Sequence, residues 1–144
     1  MTMIDFVIMG EPVAKARART VTKDRNGNVL PFARTYTPKK TADAEYDFKL
    51  QSLYYKPIEP FACAISLELK IYRSMPKSLS KHNQELAEAG IFRPVTKPDN
   101  SNYCKLCEDA MNGIFWKDDS QVVDLFVYKF YSKNPRIEVH LKTL

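Results

Sequence analysis

At residues 61–71 the chain reads Phe61-Ala62-Cys63-Ala64-Ile65-Ser66-Leu67-Glu68-Leu69-Lys70-Ile71, with the larger apolar side chains at every second position. This alternation is typical of a β-strand that buries one of its faces. Further along the chain, helical spacing relates the apolar residues Tyr103, Leu106, Cys107, Ala110 and Met111. A half-buried strand and an amphipathic helix together predict a sheet that is covered by helices.

Shorter patterns complete the set of predicted elements. Strands are predicted over residues 3–9, 114–116, 121–130 and 137–141. Two further extended pieces are predicted on either side of a turn at Asn26-Gly27. Helices are predicted from Thr37-Pro38 to Pro57 and over residues 80–89. The apolar face of the first helix is predicted to consist of Ala42, Tyr46, Leu50, Leu53 and Tyr54. The sum is an α+β fold, a single domain over residues 1–144 with a mixed β-sheet and helices mainly on one face.

Length and composition exclude several classes of protein. The chain has 144 residues, of which 44% are hydrophobic and 27% charged, as in a globular domain and unlike a disordered chain. No apolar run approaches the roughly 20 residues of a membrane span, and the N-terminus lacks the build of a signal peptide. Three cysteines are a sparse and odd number for a secreted disulfide scaffold. We therefore expect a cytoplasmic protein with no membrane partner.

The positive charge of the chain is concentrated near its N-terminus. The formal net charge is +5, and residues 1–40 account for all of it, because they hold eight basic and three acidic side chains. The other residues hold equal numbers of each sign. A basic segment of this kind suits a phosphate backbone, whose counterions are released on binding. A solvated basic loop is the alternative interpretation.

The segment 97–124 has the opposite charge. It contains three lysines and six acidic residues, which are Asp99, Glu108, Asp109, Asp118, Asp119 and Asp124. A hard divalent cation such as Mg²⁺ binds carboxylate and phosphate oxygens together, so an acidic cluster can serve a phosphate-containing substrate. Asp99 precedes a predicted helix and Asp118-Asp119 lie in a predicted turn, an arrangement that allows the chain to fold back and bring them close. Lys105, one turn into the helix, could reach a phosphate.

Each of these residues also has a structural interpretation. Asp99 or Ser101 is typical of a helix N-cap. Lys105 and Asp109 are four residues apart and could form a surface ion pair. The Asp118-Asp119 pair is typical of a turn. The spacing alone leaves the metal site and these structural roles open.

Other kinds of chemistry have weaker support. Cys104 and Cys107 have the spacing of a zinc site, but there is no second pair, and Cys107 belongs to the apolar stripe, which favours packed thiols. His82 and His140 have no motif around them. The four glycines are scattered and form no phosphate-binding loop, so we expect no nucleotide cofactor.

Several segments together resemble the RusA family of Holliday-junction resolvases, in its phage and Gram-positive members. They are Gly10-Glu11-Pro12-Val13-Ala14-Lys15-Ala16-Arg17-Ala18-Arg19, Tyr36-Thr37-Pro38, Lys97-Pro98-Asp99-Asn100-Ser101-Asn102-Tyr103-Cys104-Lys105, Glu108-Asp109-Ala110-Met111-Asn112-Gly113 and Trp116-Lys117-Asp118-Asp119-Ser120-Gln121-Val122-Val123. The resemblance reaches over nearly the whole chain. It implies a small Mg²⁺-dependent endodeoxyribonuclease, with Mn²⁺ as a substitute, that acts as a homodimer. The implied reaction resolves four-way DNA junctions by paired symmetrical nicks in recombination and repair.

The resemblance also implies roles for individual residues. Asp99 matches the first carboxylate of the family motif, Lys105 its lysine and Asp119 its distal carboxylate, which makes these three the candidate catalytic residues. Asp118 matches a further acidic position and joins Asp99 and Asp119 as a candidate metal ligand. The basic residues that would bind the DNA backbone are Lys15, Arg17, Arg19 and Arg34.

One position departs from the family motif. Ser101 stands where the motif has its second Asp, so the site has one negative charge fewer. Asp99 and Asp119 could still bind Mg²⁺, with Ser101 contributing directly or through water, because this cation often keeps several waters. The alternative is a junction-binding protein with weak or no cleavage.

Overall fold

A computed structural model describes all 144 residues of the chain. In chain order its elements are β1 (Met3–Met9), β2 (Arg19–Lys23), β3 (Val29–Tyr36), α1 (Lys39–Ser52), β4 (Ile65–Ser74), α2 (Lys81–Glu88), α3 (Asn100–Met111), β5 (Val122–Ser132) and β6 (Arg136–Thr143). Short 3₁₀ turns occupy Leu53–Tyr55 and Asp119–Gln121. One sheet has the order β1-β6-β4-β5, and β2 and β3 form a second, two-stranded sheet. The predicted α+β class is confirmed.

The alternating stretch lies at the centre of the larger sheet as β4. This strand pairs in parallel with β5 and antiparallel with β6, so the sheet is mixed as predicted. Its inward side chains, Ile65, Leu67, Leu69 and Ile71, are fully buried. The strand starts later than predicted, because Phe61 instead forms an isolated bridge with Trp116.

Helix α3 buries the predicted apolar stripe in full. Its buried side chains include all five predicted residues, Tyr103, Leu106, Cys107, Ala110 and Met111. They share one core cluster with the inward side chains of the sheet and with Phe48 of α1. Helices α1 and α3 therefore cover the same face of the sheet, which agrees with the predicted arrangement.

The predicted apolar face of α1 is wrong. Tyr46, Leu50 and Tyr54 are exposed at 64%, 51% and 90%, whereas Thr41 and Phe48 are buried. Helical periodicity is present, but tertiary contacts select another side of the helix. Phe48 packs edge-on against Phe6 of β1, and Thr41 Oγ1 accepts a hydrogen bond from the backbone of Ala16.

The strand predicted at residues 114–116 is also absent, since only Trp116 makes isolated bridges there.

The basic segment contains an ordered hairpin. Strands β2 and β3 are antiparallel and pair only with each other. The predicted turn is confirmed: Asp24 Oδ1 accepts 2.9 Å hydrogen bonds from the backbone nitrogens of Asn26 and Asn28, and Gly27 adopts a φ of 81°. A positive φ of this kind favours glycine.

The second face of the larger sheet carries polar side chains. His140 of β6 lies opposite Asp5 of β1 and Glu68 of β4, and its Nδ1 is 2.9 Å from Asp5 Oδ1.

No helix of the chain combines the length and the apolar character needed to cross a membrane.

Candidate active site

The first turn of α3 presents Asp99 and Ser101 to solvent. Asp99 occupies the N-cap position, but its carboxylate makes no capping hydrogen bond. Neither side chain has a hydrogen-bond or ion-pair partner. The structure therefore places Asp99 at the cap while leaving its carboxylate free, at a helix end that favours negative charge and anionic ligands.

Strand β5 fixes the backbone around Asp99. The Asn100 side chain donates a 3.2 Å hydrogen bond to the carbonyl of Val127. Lys129 donates from Nζ to the carbonyls of Thr96 at 2.9 Å and Pro98 at 3.0 Å. These three bonds hold both sides of the Asp99 position against the sheet, so the carboxylate stands on a rigid support.

A residue of the hydrophobic core holds the side chain of Asp119 in place. Its Oδ1 accepts a 2.8 Å hydrogen bond from Nε1 of Trp116, which is fully buried. The negative charge of Asp119 contributes to raising the pKa of Lys105, so the two side chains lie within electrostatic reach of each other. The structure thus brings together two of the three predicted catalytic residues.

Asp118 has a different environment from its neighbour. Its carboxylate accepts hydrogen bonds from Ser120, which lowers the pKa of Asp118. Gln121 completes a capping box by accepting a 2.9 Å bond from the backbone nitrogen of Asp118. The turn interpretation is confirmed for this residue, and its role as a metal ligand stays a prediction.

A chain of alternating charges joins α3 to the N-terminal segment and α1. Lys105 Nζ lies 3.0 Å from Asp109 Oδ1, and Lys15 Nζ lies 3.1 Å from Asp109 Oδ2 and 3.3 Å from Glu45 Oε2. The predicted pair between Lys105 and Asp109 is therefore present. The Asp109 contact is the main cause of the raised pKa of Lys105. Burial acts to lower the pKa of Lys15, but its two carboxylate partners outweigh burial and raise it.

The two cysteines of α3 are packed thiols, as the apolar stripe predicted. Both are free and buried. Cys104 donates from Sγ to Glu108 Oε1 at 2.8 Å. Burial is the main cause of the raised pKa of each thiol, and the charge of Glu108 adds to it.

The candidate metal ligands suit a hard cation in their chemistry. Asp99, Ser101 and Asp119 offer carboxylate and hydroxyl oxygens, the ligands that Mg²⁺ prefers. No three His, Cys, Asp or Glu side chains converge on one point in this chain. Mg²⁺ is commonly held by one or two carboxylates together with substrate phosphates, so a site that is completed by DNA does not require three. Asp99 precedes Lys105 by about 9 Å along the helix axis.

The predicted DNA-binding residues fall into two groups. Arg17, Arg19 and Arg34 are exposed and have no carboxylate partner. Lys15 differs, because its two ion pairs and a 2.9 Å backbone bond to Asn102 tie it to α1 and α3. Lys15 is therefore tied to the fold, whereas the three arginines have no partner within the protein, and DNA binding by all four residues stays a prediction.

Sequence reasoning missed several residues of this region. The link between Trp116 and Asp119 had a signal, since the two stand three residues apart in the family motif Trp116-Lys117-Asp118-Asp119. The contact of Lys15 with Glu45 and Asp109 had none, because it joins segments far apart in sequence. A cavity of about 440 Å³ also had no signal in the sequence, because segments far apart in the chain form its lining, which includes Arg19, Lys40, Arg73 and Pro98.

The carboxylates of Asp99 and Asp119, the ammonium group of Lys105 and the basic residues of the hairpin are groups that suit a phosphodiesterase of α+β fold. The chain belongs to the RusA endodeoxyribonuclease family, since the sequence profile described as Endodeoxyribonuclease RusA matches residues 9–142. It is also 43% identical over 144 residues to a Bacillus subtilis (strain 168) protein described as uncharacterized protein YqaN, a match that covers 99% of this chain and 97% of that protein. The resemblance found in the sequence is confirmed, and the family supports a nuclease activity.

Proposed function

We propose that this chain is a cytoplasmic endonuclease that requires Mg²⁺ or Mn²⁺ and resolves four-way DNA junctions by paired symmetrical nicks, in recombination and repair. The observation that carries the proposal is the family domain over residues 9–142, within which the buried Trp116 holds the carboxylate of Asp119 by a 2.8 Å hydrogen bond.

The site residues divide the chemical work. Asp99 and Asp119 would bind the cation, with Ser101 as a neutral ligand or a partner for a bound water. A divalent cation supplies polarisation of the scissile phosphate and activation of a water. Lys105 offsets negative charge on the phosphate, and Asp109 holds the ammonium group in place. Trp116 fixes the direction of Asp119.

The substrate fits the charge and symmetry of the proposed enzyme. Arg17, Arg19 and Arg34 would bind backbone phosphates and provide affinity that falls with salt. A homodimer with two-fold symmetry would present two equal sites to the two symmetry-related strands of a junction. We include the homodimer in the proposal, and its mass in solution is the direct test.

A second candidate function is junction binding with weak or no cleavage. Ser101 favours it, because a hydroxyl replaces the second carboxylate of the family motif. The absence of a three-ligand group in the chain is consistent with this candidate too.

The deciding experiment is cleavage of a labelled, mobile four-way junction in Mg²⁺ or Mn²⁺. A linear duplex and a metal-free reaction serve as controls. Paired symmetrical nicks on the junction alone would support the resolvase. Tight binding without nicks, with cleavage restored by Ser101→Asp, would support the second candidate. No preference for the junction would contradict both.

A further inference from the structure

One face of the β2–β3 hairpin alternates arginines with aromatic rings. The register places Arg19 opposite Tyr36 and Val21 opposite Arg34. Alternation along β3 places Phe32 on the same face as Arg34 and Tyr36. The guanidinium carbon of Arg34 lies 6.0 Å from the centroid of the Phe32 ring, within the range of a cation–π contact.

Packing does not account for these rings. Phe32 is 64% exposed and Tyr36 is 47% exposed, and no residue of the hairpin belongs to the hydrophobic core or packs against it. The hairpin pairs with no other strand. Its aromatic side chains are therefore held in water on a support that is anchored only at its base.

The charge around the rings selects the partner. The hairpin carries the basic residues Arg19, Lys23, Arg25 and Arg34, and its one carboxylate, Asp24, is occupied by the turn. The concave surface that includes Phe32 and Tyr36 encloses about 610 Å³. Rings interleaved with cations are the combination by which proteins stack on nucleic-acid bases while binding the backbone.

We propose that the hairpin face formed by Arg19, Phe32, Arg34 and Tyr36 stacks on bases exposed at the branch point of the DNA junction. This inference rests on the proposed function and adds the element that distinguishes a junction from a duplex. Bases inside a duplex present no free face, whereas bases at a branch point can unstack. Phe32 is the main stacking ring, because it is the more exposed of the two.

The position of the hairpin is consistent with this role. The cavity at its base is lined by Arg19, Lys40 and Arg73 and reaches Pro98, the residue before Asp99. A strand that stacks on the hairpin can therefore follow a row of cations to the candidate active site. The arrangement would place the branch point and the cleaved phosphate in fixed relation.

The test measures binding without metal, so that it is independent of cleavage. Wild type, Phe32→Ala and Phe32→Leu are titrated in EDTA with a four-way junction that carries 2-aminopurine at the branch point, and with a linear duplex. We expect the wild type to raise the fluorescence and to prefer the junction. Both variants should bind the junction about tenfold more weakly, give no fluorescence rise, and bind the duplex unchanged.

The matched control is Val29→Ala. Val29 is also an exposed apolar residue of β3, at 76%, but it does not line the concave surface that includes Phe32 and Tyr36, so this variant should behave like the wild type. If Phe32→Ala prefers the junction over the duplex as strongly as the wild type does, this inference is overturned while the proposed function stands. Equal losses on junction and duplex would overturn it as well. A wild type with no junction preference would overturn both this inference and the proposed function.

Discussion

The indole nitrogen of Trp116 donates a 2.8 Å hydrogen bond to Oδ1 of Asp119. Trp116 is fully buried, and its backbone carbonyl accepts a bond from Gly113 while Phe61 pairs beside it. The hydrophobic core thus sets the direction of a carboxylate at the candidate active site. Asp119 Oδ2 has no partner within the protein and is available for a ligand.

This relationship predicts the effect of Trp116→Phe. The variant loses a hydrogen bond to a charged group and leaves a gap in the core, so the free energy of unfolding should fall by about 2–4 kcal/mol. Cleavage should also fall, because Asp119 is no longer oriented. Urea unfolding and junction cleavage below the transition measure the two effects. Phe115→Leu, a buried neighbour with no bond to Asp119, should lose stability but keep its cleavage rate; equal rates for both variants would contradict the orienting role.

Asp119→Asn should abolish cleavage and leave junction binding intact or tighter. The amide can still accept the Trp116 bond through its oxygen, but it removes the charge that the cation and Lys105 require. A gel shift in EDTA and a cleavage assay in Mg²⁺ measure binding and chemistry separately. Asp124→Asn, an exposed change on β5, is the matched control. Loss of binding by Asp119→Asn would mean that the residue is structural.

The sequence predicted the parts of the fold that local patterns determine. The alternation at Ile65–Ile71 and the stripe on α3 were correct because one face of each is buried in full. The face of α1 was wrong, because Phe48 and the small polar Thr41 face the core while larger apolar residues do not. In the site, Asp119 and Lys105 lay in a recognisable motif. The Lys15 contacts could not be predicted, because they arise only when α1 and α3 pack together.

Lys15 and Arg17 should respond differently to replacement by methionine. Glu45 and Asp109 are only 19% and 20% exposed, so Lys15→Met leaves two half-buried carboxylates without their shared partner. We expect a loss of about 1–2 kcal/mol in the free energy of unfolding. Arg17→Met should not change the free energy of unfolding. It should reduce the slope of the logarithm of the DNA-binding constant against the logarithm of the salt concentration by about 1. Identical effects of the two variants in denaturant and salt titrations would contradict this division.

The thiols should differ in reactivity. Cys63 is exposed, whereas Cys104 and Cys107 are buried and have raised pKa values. Since the thiolate is the reactive form, a thiol reagent at pH 8 should modify one cysteine per native chain and three in denaturant. Cys63→Ser should then show no fast reaction. Rapid modification of a second thiol in the native chain would mean that α3 opens from the sheet.

Lys105 should act as a cation and not as a base over the pH range of the reaction. Asp109 raises the pKa of Lys105, so its ion pair is fully present below the ordinary lysine pKa of about 10.4 and is lost only as pH rises through the higher folded value. Lys105→Arg should therefore retain measurable cleavage with the same pH profile as the wild type between pH 6 and about 9. Lys105→Met should lower cleavage by a similar factor at each pH. A wild-type profile that rises toward pH 9 and becomes flat in Lys105→Arg would show instead that a neutral lysine takes a proton in the reaction.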